Sequence, residues 1–328
     1  MIAFLKLIRW QNLLIVIITQ FLIRYALINT LAGNLLLEDM LPGGPHSYIL
    51  LQLPFIDFLA LVLATVCITA GGYVINDYFD IRTDLVNKGE VIVGTRIPRR
   101  RAMMWHNILS ALGVVAGFWV SYRIGFLWIG IIFLLVSGLL YFYSVTYKKQ
   151  FLLGNLIVAL LTSLVPLLVV VFELPAIYNY YGPDLVSLYS MKIIFYWVAG
   201  FAVFAFMTTL AREIVKDMED FDGDKAYGSR SLPVVAGINI SKAVVSVIIT
   251  ATIILMIIMW ALYIENIISL LYILLVMVVP LVFSIVALIR GKSAQQFNTV
   301  STIIKGVMLT GILYTVLFWL IAEKGLSF

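Results

Sequence analysis

Residues 55–84 read FIDFLALVLATVCITAGGYVINDYFDIRTD. Between Phe58 and Asn76 there is no charge, and the run then closes on Asp77, Asp80 and Asp84. A helix crosses the hydrocarbon core of a bilayer with roughly 20 apolar residues. In that medium every backbone N–H and C=O must be satisfied, which leaves helices or closed barrels. Barrel strands alternate apolar and polar positions over about ten residues, and this run does not alternate. Residues 55–80 therefore predict a transmembrane helix with acids gathered at one end.

The rest of the chain repeats the pattern. Its 328 residues are 63% hydrophobic and 12% charged, with a mean hydropathy of +1.07. A soluble domain carries about 25% charged residues. Apolar runs of spanning length fall at 10–32, 55–80, 104–122, 125–144, 151–172, 192–215, 241–262, 266–289 and 301–322. Breaks between them carry turn chemistry or charge, as at Arg123 with Gly125, Lys148 with Lys149, and Gly291 with Lys292. Two longer connections are expected at 33–54 and 173–191. The expected fold is all-α: a polytopic membrane protein of about nine transmembrane helices around a central cavity, forming one domain over 1–328. The basic Lys6 and Arg9 precede a run too long for a signal-peptide core, so the first span is read as uncleaved.

Charge sets the orientation. Most of the 22 basic residues fall on the side that holds the N-terminus, including Lys6, Arg9, Arg82, Lys88, Arg99 to Arg101, Lys148, Lys149, Arg212, Lys216, Arg230 and Arg290. Arg24, Arg123, Lys192 and Lys324 are assigned to the other side, and Lys305 lies just inside the last span. The positive-inside rule makes the basic side cytoplasmic. The net charge of +5 is thus a topology signal, and nucleic acid is not an expected partner. The single cysteine, Cys67, can form no internal disulfide, and no Cys/His cluster has zinc-site spacing. His46 and His106 read as interfacial polar residues.

The acids carry the chemistry. Asp77, Asp80 and Asp84 fall at i, i+3 and i+7, and so do Asp217, Asp220 and Asp224 at the end of the sixth span. On a helix these positions share a face. An even number of spans brings both motifs to the same side. Like charges stacked at a bilayer are costly unless a cation neutralises them, and carboxylate oxygens suit Mg²⁺, which usually takes one or two carboxylates together with substrate phosphates and water. Two such faces can grip one diphosphate through bridging metals. For one motif, a solvated helix end among basic residues is the simpler account. Two copies with the same spacing argue against it. Arg212 and Lys216, on the second motif's helix, are candidate phosphate contacts.

These residues resemble the UbiA-type superfamily of intramembrane prenyltransferases. Asn76, Asp77, Asp80 and Asp84 match N-D-x-x-D-x-x-x-D, and Asp217, Asp220 and Asp224 match the second motif. Gly228-Ser229-Arg230-Ser231-Leu232-Pro233 is similar to the family's Gly-x-x-(Thr/Ser)-Leu-Pro tail, and Arg9-Trp10-Gln11-Asn12 to Arg-Pro-x-Asn with Trp for Pro. Tyr141 to Lys148 resembles the end of the fourth span. The chain departs from the family at Asn87-Lys88-Gly89-Glu90-Val91-Ile92, where many members read Asn-Lys-Pro-x-Arg-Pro.

The resemblance implies that Asn76, Asp77, Asp80, Asp84, Asp217, Asp220 and Asp224 hold Mg²⁺, with Asp77, Asp80, Asp217 and Asp220 central to catalysis. Arg9, Asn12, Asn76, Tyr141, Tyr143, Lys148, Arg212 and Lys216 then bind substrate. The diphosphate would ionise to an allylic cation that a lipophilic acceptor attacks. π faces stabilise a cation, and Tyr141, Tyr143 and Tyr147 lie at the right level, although any one of them alone also fits an interfacial aromatic belt. The second motif most resembles the branch that prenylates glycerol-phosphate ethers, digeranylgeranylglyceryl phosphate synthases. An aromatic acceptor, as in quinone or haem biosynthesis, is the alternative, and a secondary transporter is the alternative of another class. Transport sites sit near the bilayer midplane at broken helices, whereas these acids cluster at one interface. The expected location is the cell (inner) membrane, with the Asp motifs on the cytoplasmic side and membrane lipid as a partner.

Overall fold

The computed structural model describes residues 2–33, 49–81, 84–85, 91–182 and 188–324. His46, Arg82, Lys88 and the departure at 87–90 lie outside the described residues. A short helix α1 (Ile2–Leu7) leads into α2 (Trp10–Gly33), α3 (Phe55–Phe79), α4 (Arg99–Arg123), α5 (Leu127–Val145), α6 (Leu153–Tyr181) and α7 (Leu188–Glu219). Two short helices, α8 (Phe221–Ala226) and α9 (Leu232–Ala236), precede α10 (Ile238–Tyr263), α11 (Ile267–Arg290) and α12 (Ala294–Glu323). Among the described residues nine helices are long and apolar enough to cross a membrane, and each coincides with an expected span.

The ends differ where sequence cues mislead. The connection expected from 173 is helical to Tyr181, with Pro166 and Pro175 inside α6. Proline removes one ladder donor, but neighbouring helices can re-satisfy the freed carbonyl in a membrane protein. In α11 a π-helical turn, Ile273–Val278, runs up to Pro280 and absorbs the missing donor there. A second π turn, Ile23–Ile28 in α2, contains Arg24.

The chain forms two compact units. The first comprises Met1–Ile81, Val91–Ser144 and Leu164–Gly200, and the second Arg82–Glu90, Val145–Ser163 and Phe201–Phe328. In the first, small residues let helices approach closely, as membrane packing requires. A Cβ on Gly113 of α4 would stand 2.5 Å from Ile68 Cγ1 of α3, and one on Gly117 2.2 Å from the Phe133 ring of α5. The second unit is built on Ala211, Ile214, Val215 and Met218 of α7, packed with Leu281 and Leu288 of α11 and with Phe297, Val300, Ile304 and Val307 of α12.

Three polar residues are engaged in the interior, among them His106, read as interfacial, and Arg24, read as an outer-side group. His106 is buried, and its Nδ1 donates to the Gly71 carbonyl at 3.0 Å. Arg24, assigned to the outer side, lies buried within α2 and donates from Nε to Glu173 Oε2 at 2.9 Å. Asp57 is buried and meets Arg123 Nε at 3.3 Å. The sequence missed these contacts because the partners stand 35, 149 and 66 positions apart, and only packing brings them together.

Candidate active site

In the first unit the carboxylate end is organised around α3. Arg9, just before α2, has φ 50° and ψ 54°. That left-handed conformation is rare for a residue with a side chain. Arg9 Nη2 donates to Asp77 Oδ1 at 2.9 Å, and its guanidinium lies 4.9 Å from the centre of the Tyr73 ring. Asn12 Nδ2 donates to Tyr73 Oη at 3.4 Å. Arg9 and Asn12, 61 to 68 positions away in sequence, thus join Tyr73 and Asp77, which are i and i+4 on one face of α3. Tyr73 is a site residue the sequence reading missed, and its spacing from Asp77 was the available signal. Tyr141 of α5 stands 6.2 Å from Phe79 and 6.0 Å from His106, ring centre to ring centre, which places an aromatic wall beside the end of α3.

In the second unit Asp217 Oδ2 accepts from Asn155 Nδ2 of α6 at 2.8 Å. Asn155 is buried and was also missed: a lone amide in an apolar span was its only mark. Glu213 accepts from Arg212 Nη1 at 2.9 Å through Oε1 and from Lys216 Nζ at 3.5 Å through Oε2. Asp224, on α8, is pushed above the usual carboxylate range by burial, opposed by nearby Ser231 and the charge of Lys148. Lys148 and the second motif therefore belong to one neighbourhood.

Both motifs break at their middle aspartate. Helix α3 ends at Phe79, and Asp80 takes φ −88°, ψ 2°. Helix α7 ends at Glu219, and Asp220 takes φ −89°, ψ 10°. This is the sparsely allowed bridge region in which many active-site residues sit. The hydrogen-bond ladder persists across the break, from Asp80 N to Asn76 O at 3.0 Å and from Asp220 N to Lys216 O at 2.9 Å. The single helical face expected to run through all three aspartates is therefore interrupted at the second. Among the described residues no three Asp, Glu, His or Cys side chains gather as a metal cluster.

That arrangement fits Mg²⁺, which needs only one or two carboxylates when phosphate and water complete its octahedron. Asn76 Oδ1 adds a hard oxygen beside Asp77: it is buried and has no hydrogen-bond partner among the described residues. A buried acceptor without a partner costs free energy and calls for an explanation, and a cation ligand supplies one. Tyr143 lies on α5 two positions after Tyr141, and Asp84 lies four positions after Asp80.

Comparison with known proteins shows the family. The UbiA prenyltransferase family model matches residues 45–321. A digeranylgeranylglyceryl phosphate synthase of Methanothermobacter thermautotrophicus is 34% identical over 266 residues, covering 79% of this chain and 84% of that protein. One from Methanosphaera stadtmanae is 30% identical over 255 residues, covering 76% and 84%. Among solved structures, one described as giving insights into digeranylgeranylglyceryl phosphate synthase in membranes aligns with a TM-score of 0.62 at 25% identity, over 96% of this chain and 98% of that one. A UbiA homologue from Archaeoglobus fulgidus bound to DMAPP and Mg²⁺ shares the fold, with a TM-score of 0.53 at 16% identity over 96% and 99%. Two aspartate motifs that end long apolar helices, within a match that spans most of the chain, make this an integral-membrane prenyltransferase that belongs to the UbiA prenyltransferase family.

Proposed function

We propose that this chain transfers a prenyl group from a prenyl diphosphate to a glyceryl phosphate ether lipid of the geranylgeranylglyceryl phosphate type, with Mg²⁺, and that its two units act as one catalytic domain. The observation that carries the reading is the pair of bridge-region aspartates, Asp80 and Asp220, each following a spanning helix. The acceptor follows from the relatives, which share the name digeranylgeranylglyceryl phosphate synthase.

The residues that would hold the metal are Asn76, Asp77, Asp80 and Asp84 of the first motif and Asp217, Asp220 and Asp224 of the second. Bound there, Mg²⁺ supplies neutralisation of the charge that builds on the departing diphosphate. The chain's own residues do the rest. Arg9 and Asn155 fix the Asp77 and Asp217 carboxylates by charge-assisted hydrogen bonds. Lys148, Arg212 and Lys216 offer cationic donors to phosphate oxygens. Tyr141 and Tyr143 present π faces to an allylic cation, and Arg9 and Asn12 line the substrate side. The basic bias of the motif side orients it to the cytoplasm, in the cell (inner) membrane.

The test is an acceptor panel with the purified protein in lipid, one prenyl diphosphate and Mg²⁺. Ether-linked glyceryl phosphate is expected to give prenylated product and aromatic acids none. Product from the aromatic acids alone would reassign the acceptor and leave the prenyltransferase reading standing.

A further inference from the structure

Lys305 stands twelve positions into the last spanning helix, α12, and no metal motif accounts for it. Its neighbours are fixed by how α12 packs on α7. Asn298 Nδ2 donates to Glu219 Oε1 at 2.8 Å. Thirteen residues on, Gly311 lies against Phe204, where a Cβ would come within 2.3 Å of the ring. Phe201 and Tyr314 stack at 6.4 Å. The two helices are therefore antiparallel over this length, and reading between the anchors sets Lys305 level with residues 210–212. Lys305 is accordingly within the electrostatic reach of both Arg212 and Lys216.

Three cations thus share a membrane-spanning stretch of one unit, and Glu213 is the carboxylate that Arg212 and Lys216 engage. The next acid along the helix, Asp217, is turned to Asn155. Positive charge in a span is costly and marks function when retained. On the same stretch of α7, the Nε of Arg212 itself and the Oγ1 of one further residue, Thr209, are buried without a hydrogen-bond partner among the described residues. Unmet buried donors beside an excess of cations describe a site for an anion with several acceptor oxygens. A phosphate monoester, at about −1.5 to −2 near neutral pH, matches that excess.

Depth and charge decide which phosphate. Arg212 lies eight residues before Asp220, about 12 Å deeper along the helix. A diphosphate held through metal at the aspartates sits at the outer end. The prenyl carbon that reacts lies on its lipid side, so the attacking hydroxyl must also lie deeper. In a glyceryl phosphate acceptor the phosphate is only a few bonds from that hydroxyl. It also needs cations of its own, because the aspartates repel a phosphate that brings no metal.

We infer that Arg212, Lys216 and Lys305, with the Thr209 hydroxyl, form a metal-independent site for the phosphate monoester of the acceptor lipid, with Lys305 as its specificity-determining residue. This rests on the glyceryl phosphate reading above and assigns the part of the acceptor that these residues recognise.

The test measures binding of the phosphorylated ether lipid to the full-length protein in nanodiscs, with EDTA and without prenyl diphosphate. The same lipid lacking phosphate is the control. The wild type is expected to bind the phosphorylated form at least tenfold more tightly. Lys305→Met is expected to weaken that binding roughly 10- to 100-fold, the usual scale for losing one charge-assisted hydrogen bond, and Lys305→Arg to retain most of it. Under turnover the acceptor KM of Lys305→Met rises and the donor KM does not. Phosphate-dependent binding that ignores Lys305, or a loss that falls on the donor KM, would overturn the inference. Lys305-dependent binding without wild-type turnover of this lipid would overturn the acceptor reading alone.

Discussion

Replacing Asp80 or Asp220 by alanine lowers prenyl transfer by roughly 10³-fold or more, while the protein still enters membranes and elutes as the wild type does. Each aspartate closes a spanning helix in a bridge-region turn that keeps a backbone hydrogen bond to the residue four positions earlier, a bond that alanine preserves while it removes the carboxylate. Loss of an anionic ligand at a metal-bound diphosphate forfeits several kcal/mol of charge stabilisation, and each 1.4 kcal/mol is about a factor of ten in rate. Single-turnover diphosphate release from each variant checks this. The effects of the two substitutions should be similar, because the conformations of the two residues are nearly the same. Normal turnover in either variant would remove that motif from the chemistry.

The second large effect lies far from the site, at the buried pair of Arg24 and Glu173. Glu173 has no exposed side-chain surface. Its Oε2 takes the Arg24 bond, and its Oε1 accepts from Gln52 N at 2.7 Å and from Leu53 N at 2.9 Å. Arg24 donates from Nη2 to the Leu53 carbonyl and from Nη1 to Tyr25 Oη at 3.0 Å, and its guanidinium lies 4.5 Å from the centre of the Phe58 ring. One charged pair therefore joins α2 and α6 and ties down the chain that enters α3. Breaking such a pair from one side leaves a buried charge and costs about 3–5 kcal/mol. Arg24→Met or Glu173→Leu should each lower the apparent Tm, on the order of 5–10 °C for a chain of this size. The double variant should lose less than the sum, because no lone charge remains. It should not recover fully, because the Gln52 and Leu53 backbone groups lose their partners at about 1–3 kcal/mol for each group left buried. Thermal unfolding of the four proteins in one detergent gives the cycle. Full additivity would mean the pair is not coupled.

These contacts show what can be read from a one-dimensional chain. Span existence was legible because apolar runs of about 20 residues are set by bilayer thickness, and all nine coincide with helices. The motif residues were legible because their spacing repeats. What escaped was anything decided by packing. The charge of Arg24 read as belonging to the outer side until Glu173, 149 positions away, was brought to it. Pro175 read as a breaker, yet α6 runs past it to Tyr181. The motif aspartates read as one helical face, yet Asp80 and Asp220 leave the helix. Tyr73 and Asn155 became visible only as the partners of Asn12 and Asp217.

The central claim is that paired aspartate motifs and Mg²⁺ drive prenyl transfer to a glyceryl phosphate lipid. The most direct measurement follows diphosphate and prenylated lipid together, from the purified protein in nanodiscs, with and without Mg²⁺. The account predicts equal amounts of diphosphate and prenylated glyceryl phosphate, both abolished by EDTA and restored by Mg²⁺. Prenylated lipid formed at an undiminished rate in EDTA, or diphosphate released with no prenylated lipid, would contradict it.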